Sequence, residues 1–168
     1  GRPSRDRRHQ APRKVAPRVG SGVTLHNRAM FLPEALDSLL AQTYRNFRLV
    51  LVDDGSTDAS ETIARAYEQR DPRVRYVRFD ERRGMVAAWR GAFELATEEG
   101  VDYFAWASDH DRWHPEWLAT LVAEMEAHPE AVLAYPMTRR TGVTGMELPK
   151  VARQFETIGV SDVRARWK

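Results

Sequence analysis

The feature that most constrains the fold of this 168-residue chain is a regular alternation between two sequence periods. Short apolar runs rich in β-forming residues alternate with longer stretches in which apolar side chains recur every three or four positions. The predicted strands are residues 19–25, 47–52, 74–79, 103–107 and 131–135. The helices between them are expected to begin near Pro33, Asp58, Gly84 and Pro115. This order predicts βαβ units and therefore an α/β fold, a Rossmann-like three-layer α/β/α sandwich around a mainly parallel sheet.

The helical periods also predict which side chains face the core. In the first helix the predicted core residues are Leu32, Leu36, Leu39 and Leu40. In the third helix they are Met85, Ala88, Trp89, Ala92, Leu95 and Ala96. Asp58, followed by Glu61 three residues later, has the spacing of a capping box at the start of the second helix.

Composition divides the chain into a basic tail (residues 1–18), one globular domain (19–136) and an irregular C-terminal segment (137–168). The tail holds seven basic residues and one acidic residue, so its net charge is +6. Since the whole chain has a net charge of +2, the other 150 residues sum to −4. A basic tail suits contact with nucleic acid or an anionic membrane, but its prolines and few apolar residues favour a disordered, solvated extension. We therefore expect no nucleic-acid partner.

The sequence has no cysteine and no long apolar run, which excludes several classes of protein. Cysteine is absent, which excludes disulfides and zinc–thiolate sites. No run of about 18 apolar residues predicts a transmembrane helix. We expect a cytoplasmic location, in which any contact with a membrane would be peripheral.

Three polar clusters follow predicted strands, and ligands of open parallel sheets bind at the carboxyl ends of strands. The clusters are residues 24–28, 53–58 and 108–111. Each has an ordinary explanation when it is taken alone, since Asp54-Gly55 is a common turn and acidic residues often precede helices. Their shared position at strand ends predicts a binding site.

The third cluster contains two carboxylates, Asp109 and Asp111, separated by one residue. Side chains at i and i+2 can project to the same side, where two carboxylates repel each other unless a cation lies between them. Oxygen ligands suit Mg²⁺ or Mn²⁺, and Mg²⁺ is commonly bound by carboxylates together with substrate phosphates. The alternative is that both acids cap the following helix. Arg82 and Arg83 could hold phosphate oxygens with the free N–H groups ahead of the third helix, or be solvated side chains.

Three ordered sequence blocks resemble the family 2 glycosyltransferases, which have the GT-A fold, and the resemblance covers residues 19–136. The first block is VTLHNRA at 23–29 with FL at 31–32 and SLLAQTY at 38–44, the second is VDDGSTD at 52–58, and the third is SDHD at 108–111 followed by WHPE at 113–116. The resemblance implies metal-assisted, inverting transfer of a sugar from a nucleotide-diphosphate donor to the hydroxyl of an unknown glycan, lipid or small-molecule acceptor. It also implies a divalent cation, Mn²⁺ or Mg²⁺.

Family roles can be carried over to matching positions. The predicted nucleotide-binding residues are Thr24, His26, Asn27, Asp53, Asp54, Arg83 and Asp109, and the predicted metal ligands are Asp109 and Asp111. Among these, Arg83 comes from the basic step before the third helix, and Asp54 is the expected contact to the base. Whether His110 also binds the cation is left open.

The sequence departs from the family pattern in ways that affect the predicted activity. Family members often carry proline at the position of Thr24, tyrosine at that of His26 and aspartate at that of His110. The acids after Pro136 are Glu147, Glu156 and Asp162. Asp162 is the best general-base candidate among them, but nothing around it resembles the family and no base is assigned. The alternative function is therefore a non-catalytic nucleotide-sugar binding domain, or a donor half without its base.

Overall fold

The computed structural model describes residues 15–139 and residue 146. In this part of the chain, strands and helices alternate as the sequence predicts. The elements are β1 (Val19–Leu25), α1 (Leu32–Leu40), β2 (Phe47–Asp53), α2 (Ser60–Arg70), β3 (Val74–Arg78), α3 (Met85–Thr97), β4 (Tyr103–Ala107) and α4 (Trp117–Ala127).

One predicted element is wrong. Residues 131–135 form no strand, and the side chains of Val132 and Leu133 are 96% and 72% exposed. An apolar run becomes a strand when a neighbouring strand offers it a free edge and a core receives its side chains. Neither side chain is buried in a core, so an apolar composition was not enough to make these residues a strand.

The start of α2 also differs from the prediction, because the capping box is half formed. Asp58 Oδ1 accepts the N–H of Ser60 at 2.9 Å, as an acceptor at a helix start does. Glu61 does not return to the backbone of the helix start; it pairs with Arg65 at 2.9 Å and with Arg78 at 3.2 Å.

The sheet has the strand order β3-β2-β1-β4, and every pair of neighbouring strands is parallel. From β1 to β3 the chain moves in one direction across the sheet, and β4 then returns to the other side of β1. Since crossovers between parallel strands are right-handed, this reversal places α3 on the face opposite α1 and α2. The strand ends of β1 and β4 therefore form a topological switch point, where open α/β sheets bind ligands.

The face covered by α1, α2 and α4 contains the larger hydrophobic core. Leu32, Leu36 and Leu39 of α1 are buried, as the helical period predicts. They pack with Leu49 and Leu51 of β2 and with residues from every other element of this face. We refer to this side of the sheet as the thick face.

The opposite face, referred to below as the thin face, is covered by α3. Its buried residues are Val50, Val52, Ala88, Ala92 and Ala96. The alanine stripe of α3 is buried as predicted, but Met85 and Trp89, which were predicted to face the core, are 61% and 46% exposed. The reason is that α3 lies on its small residues and turns the larger neighbouring side chains to its flank.

Two features concern the ends of the described region. Residues 16–18 belong to the predicted tail, and they are bound to the domain: Asn46 donates to the carbonyl of Ala16 at 2.7 Å, and the Arg18 N–H donates to Asp102 at 2.7 Å. The chain divides into two units between Ala134 and Tyr135. Asp162 lies outside the described residues, and among those described no helix has the length and apolar character to cross a membrane.

Candidate functional site

A cleft of about 530 Å³ opens at the switch point between β1 and β4. It is lined by Thr24, Leu25, His26, Arg28, Asp54, Arg82, Met85, Ala88, Trp89, Trp106, Ala107, Ser108, Asp109, His110 and Trp113. These residues come from the carboxyl ends of β1, β2 and β4 and from the beginning of α3. The three polar clusters of the sequence therefore meet at one edge of the sheet.

The loops after β1 and β2 are joined by hydrogen bonds. Asn27, in the left-handed region at φ 55°, donates its backbone N–H to Ser56 Oγ at 2.9 Å and accepts the N–H of Thr57 on Oδ1 at 2.8 Å. The N–H of Arg28 donates to Ser60 Oγ at 2.9 Å. Asparagine tolerates this backbone conformation better than most residues. Asn27 thus fixes the two loops relative to each other and lies outside the lining of the cleft.

Asp53 is fully buried and faces the thick side of the sheet. Its Oδ2 accepts the hydroxyl of Tyr76 at 2.6 Å, and its Oδ1 accepts the N–H of Ser56 at 2.8 Å. Burial, followed by the hydrogen bond to this carboxylate, raises the pKa of Tyr76. These bonds give Asp53 a structural role at the end of β2, away from the cleft.

Asp54 lines the cleft and positions the loop before α3. Its Oδ1 accepts the N–H of Arg83 at 2.6 Å and its Oδ2 accepts that of Gly84 at 2.9 Å. Gly84 has φ 89°, a conformation that favours glycine. The carbonyl of Asp54 accepts a hydrogen bond from His26 Nδ1 at 2.9 Å, which places the proton on that nitrogen. One residue therefore connects the ends of β1 and β2 with the start of α3.

The basic step before α3 is arranged differently from the expectation. The N–H groups of Arg83 and Gly84 are bonded to Asp54, so they are not the free phosphate donors that the sequence suggested. The guanidinium of Arg83 lies 4.7 Å from the ring centre of Phe79, outside the cleft lining. Arg82 lines the cleft instead, with its Nε 3.9 Å from Asp54 Oδ2.

Asp109 is the buried carboxylate at the β4 end of the cleft. Its Oδ2 lies 3.3 Å from Arg28 Nε, and its Oδ1 lies 2.6 Å from His110 Nδ1. Asp111 is exposed and is not among the lining residues. At the β4 end of the cleft, Asp109 and His110 are therefore two metal-capable side chains in direct contact.

This donor set fits a cation that takes part of its coordination from a ligand. Among the residues that the structure describes, no three His, Cys, Asp or Glu side chains form a metal-binding group. Mg²⁺ often uses one or two carboxylates and completes its shell with phosphates and water, and imidazole nitrogen suits softer divalent metals. Asp109 and His110 suit such a shared site, whereas a cage formed wholly by protein side chains is not present in the described part.

Sequence reasoning missed the aromatic part of the cleft. Trp89 of α3 and Trp106 of β4 both line it, and their ring centres are 5.8 Å apart. Trp89 was predicted to face the core, and Trp106 was assigned only to the fourth strand. A signal was present in α3, because the stripe Ala88, Ala92 and Ala96 has the i, i+4, i+8 spacing of one face and leaves Trp89 to one side.

The predicted nucleotide and metal residues thus fall into two groups. The structure brings Thr24, His26, Asp54 and Asp109 to the cleft, and it places Asn27, Asp53, Arg83 and Asp111 outside its lining. The cleft is also lined by Arg82 and His110, whose roles the sequence left open, and by Arg28 and the aromatic side chains, to which it assigned none. The roles of these residues in binding a nucleotide or a metal stay predictions.

Curated relatives are similar to part of this chain. An uncharacterized glycosyltransferase of Rickettsia typhi is 35% identical over 100 residues, which are 60% of this chain and 29% of the relative. The glycosyltransferase GlyA of Streptococcus pneumoniae is 41% identical over 66 residues, 39% of this chain and 9% of the relative. The chain therefore spans less than a third of the length of either protein.

Solved structures give the same relationship. A mannosyltransferase from Pyrobaculum calidifontis, in complex with GDP-Man and Mn²⁺, is similar with a TM-score of 0.60 and 28% identity, over 66% of this chain and 33% of that one. TarS of S. aureus, in complex with UDP-GlcNAc, has a TM-score of 0.60 and 23% identity over 67% of this chain and 32% of that one, and supports the fold. The glycosyl transferase family 2 model matches residues 22–160. The predicted resemblance and fold class are confirmed, and the chain belongs to glycosyl transferase family 2.

Proposed function

We propose that this chain is the donor-binding part of an enzyme that transfers a sugar from a nucleoside diphosphate to an acceptor hydroxyl, with inversion and with help from a divalent cation. Family membership supports glycosyl transfer in general. The donor class, the cation and the inverting course are our proposals. The acceptor class, whether glycan, lipid or small molecule, is left open.

The observation that carries the proposal is the convergence of charges around Asp109. A buried carboxylate at a switch point lies 3.3 Å from Arg28 Nε and 2.6 Å from His110 Nδ1, in a cleft that also contains Arg82. A diphosphate needs cationic groups for its oxygens, and a departing nucleoside diphosphate gains charge as the glycosidic bond breaks. Arg28 and Arg82 supply fixed positive charge to this cleft, and guanidinium groups match phosphate geometry.

The cation is proposed to bind at Asp109, with His110 as a second ligand and the donor diphosphate supplying further oxygens. A bound divalent ion supplies charge stabilisation for the leaving diphosphate. The mannosyltransferase neighbour was solved with GDP-Man and Mn²⁺, which supports this choice of ligand class. Asp111, two residues from Asp109, is exposed here and would have to turn inward to take part.

Inversion requires a base that removes the proton of the acceptor hydroxyl while its oxygen attacks the anomeric carbon. We assign no residue to this step. Asp162, the best candidate by sequence, lies outside the described residues. The curated relatives are more than three times longer than the matched stretch, so the acceptor side of the reaction is a proposal for the whole protein.

A second function is favoured by one observation. Among the described residues, Asp109 and His110 are in contact at the cleft, but no three His, Cys, Asp or Glu side chains form a metal-binding group. A non-catalytic domain that binds a nucleotide sugar for a partner enzyme would need no more than this. Binding without turnover of the donor distinguishes this function from transfer.

The test measures thermal stability of the 168-residue chain with UDP, GDP, dTDP or CDP, each with and without Mn²⁺. A ligand that binds the folded state at 100 times its Kd adds about 2.7 kcal/mol of stability. We expect one nucleotide to stabilise the chain in a manner that requires Mn²⁺. Asp109→Ala should remove this stabilisation, and Asp111→Ala should weaken it less.

A surface control is Glu124→Ala, since this acid is exposed on α4, outside the cleft lining. It should leave nucleotide binding unchanged. If no nucleotide stabilises the chain, or if Asp109→Ala binds as well as the control, the donor site is placed wrongly. Release of nucleoside diphosphate from the matching nucleotide sugar then separates the enzyme from the non-catalytic domain.

A further inference from the structure

Two large aromatic side chains in the cleft have no part in the charge arrangement described above. Trp89 and Trp106 line the cleft, and each is 46% exposed. Tryptophan contributes most to stability when it is buried, so two of them left half exposed at one concave site indicate a surface that receives a ligand.

Both tryptophans are held in place. The indole N–H of Trp89 donates to Thr24 Oγ1 at 3.1 Å, which fixes the ring against the end of β1. The ring of Trp106 lies 5.8 Å from that of Trp89 at an angle of 42°, and Phe104 meets it edge-on at 4.7 Å. These spacings are those of favourable aromatic pairs. The two indoles form one tilted surface, which we refer to as the tryptophan wall.

The backbone of β1 leaves room for this wall. Gly22 lies under it, and a Cβ at that position would come within 3.1 Å of the rings of both Phe104 and Trp106 and 3.3 Å from Ala92. Such contacts are tighter than van der Waals packing allows without movement. The glycine and the aromatic residues of β4 therefore form a single arrangement that places Trp106 at the mouth of the cleft.

We infer that the tryptophan wall is the surface on which the nucleobase of the donor stacks, an inference that rests on the proposed function. Every nucleobase has a π-face, and base–aromatic stacking is a strong contact that does not depend on hydrogen bonds. Arg28, and Asp109 through the proposed cation, would then receive the diphosphate in the polar part of the lining. Thr24 accepts a hydrogen bond from Trp89, and its hydroxyl can still donate one to the edge of the base.

The arrangement of Asp54 supports stacking over a carboxylate contact to the base. Both of its oxygens already accept backbone N–H groups of Arg83 and Gly84. Asp54 therefore acts as a positioning residue that holds the start of α3, and with it Trp89. The apolar C–H face of a sugar ring also stacks on indoles, so the test compares nucleotides with nucleotide sugars.

The experiment uses the 168-residue chain with Mn²⁺ and measures Kd by calorimetry for UDP, GDP, UDP-GlcNAc, GDP-Man and inorganic pyrophosphate. Trp89→Leu and Trp106→Leu should each weaken the nucleotide that binds best by about tenfold, which corresponds to about 1.4 kcal/mol. Their affinity for pyrophosphate should remain within about twofold of the unmodified chain. Trp89→Phe keeps a π-face and should recover part of the lost nucleotide affinity.

The matched control is Phe93→Leu, an aromatic residue of the same helix that contacts Phe104 outside the cleft lining. It should change neither affinity. Equal losses for nucleotide and pyrophosphate would assign the tryptophans a structural role and overturn the inference. So would unchanged nucleotide binding in both leucine variants, or a loss confined to nucleotide sugars, which would assign the wall to the sugar.

The inference and the proposed function can fail separately. If the unmodified chain binds a nucleotide in a manner that depends on Asp109, but the tryptophan variants bind it equally well, the inference alone is wrong. If the unmodified chain binds no nucleoside diphosphate, both are wrong. Quenching of indole fluorescence by the bound nucleotide, smaller in Trp89→Leu and in Trp106→Leu, gives an independent reading of stacking.

Discussion

The two faces of the sheet are stabilised in different ways. On the thick face, three helices bring leucines and aromatic residues together in a core that reaches all four strands. On the thin face, one helix packs an alanine stripe on Val50 and Val52. The thick face gains stability from the apolar area it buries, whereas the thin face gains it from close approach of backbones.

This difference explains where the cleft lies. Because α3 rests on small residues near the middle of the sheet, it leaves Trp106 of β4 partly uncovered on its flank. Trp106 and Phe93 are 46% and 48% exposed, while three of the four leucines of α1 are buried. The weakly covered flank reaches the end of β4, where Asp109 lies. A thin helical layer thus provides both the opening and its apolar lining.

The largest effect expected from this comparison is the loss of a leucine on the thick face. Leu36 is fully buried in α1, and Leu36→Ala should lower the free energy of unfolding by about 3 kcal/mol through lost burial and a residual cavity. Phe93→Ala on the thin face removes a larger side chain but should cost less than about 1 kcal/mol, because about half of it is already exposed. Urea unfolding measures both.

Equal costs for these two substitutions would break the comparison. They would mean that the flank of α3 is covered in solution and that Phe93 is a core residue. A matched check on the thick face is Leu118→Ala in α4, which should resemble Leu36→Ala, since Leu118 is also buried in the larger core.

The second prediction concerns the close approach of α3 to the sheet. A Cβ at Gly20 of β1 would lie 2.4 Å from the carbonyl oxygen of Ala96, a backbone atom that cannot rotate away. Gly20→Ala should therefore push α3 outward and cost about 2 kcal/mol, in the range of overpacked cores. Circular dichroism during urea unfolding measures the change.

The control for this substitution is the neighbouring residue. Ser21→Ala changes a side chain that points to the thick face, where its buried hydroxyl has no hydrogen-bond partner among the described residues. Removing that hydroxyl should be neutral or slightly stabilising. If Gly20→Ala were as mild as Ser21→Ala, the thin face would tolerate separation, and close packing would not be what holds α3.

Most of the fold could be predicted from the sequence because its signals are local. The predicted strand at 103–107 matches β4 in both bounds, and the periods of α1 and α3 located both helices. The strand predicted at 131–135 is wrong, since pairing depends on a neighbouring edge that composition does not encode. Met85 and Trp89 were assigned to the core because the helical period shows which face of a helix is apolar, but not how much of that face the sheet covers.

The site was predictable in position and less so in detail. The rule that ligands bind at strand ends located the cleft through Asp54 and Asp109, but it could not distinguish Asp54 from its neighbour. Asp53 faces the thick core and bonds Tyr76, whereas Asp54 turns to the loop before α3. Adjacent residues of a strand point to opposite faces, so their roles depend on what each face carries. Arg82 and Arg83 are likewise neighbours with different surroundings: Arg82 lines the cleft, and Arg83 lies over the ring of Phe79.

The smallest predicted effect is a pH dependence at the edge of the thick face. The Arg73 side chain, through its hydrogen bonds, lowers the pKa of Asp71, and Arg73 also donates to the carbonyl of Leu40 at 3.1 Å. A lowered folded-state pKa means that the pair stabilises the fold above the unfolded value of about 3.9. This stability is lost as the pH falls through the folded-state pKa.

Asp71→Asn should therefore cost up to about 1 kcal/mol at pH 6, because the pair is partly solvated. Urea midpoints for both proteins, measured from about pH 6 downward, give the difference, which should shrink progressively below about pH 4. Asp80→Asn, at an exposed acid, matches the change in charge and should give a difference that does not converge in this way. A constant gap between Asp71→Asn and the unmodified chain would show that Asp71 acts through its backbone position. Arg73 would then stabilise this edge through its hydrogen bond to Leu40 and its contact with Phe47, whose ring centre lies 4.6 Å away, and not through the charge of Asp71.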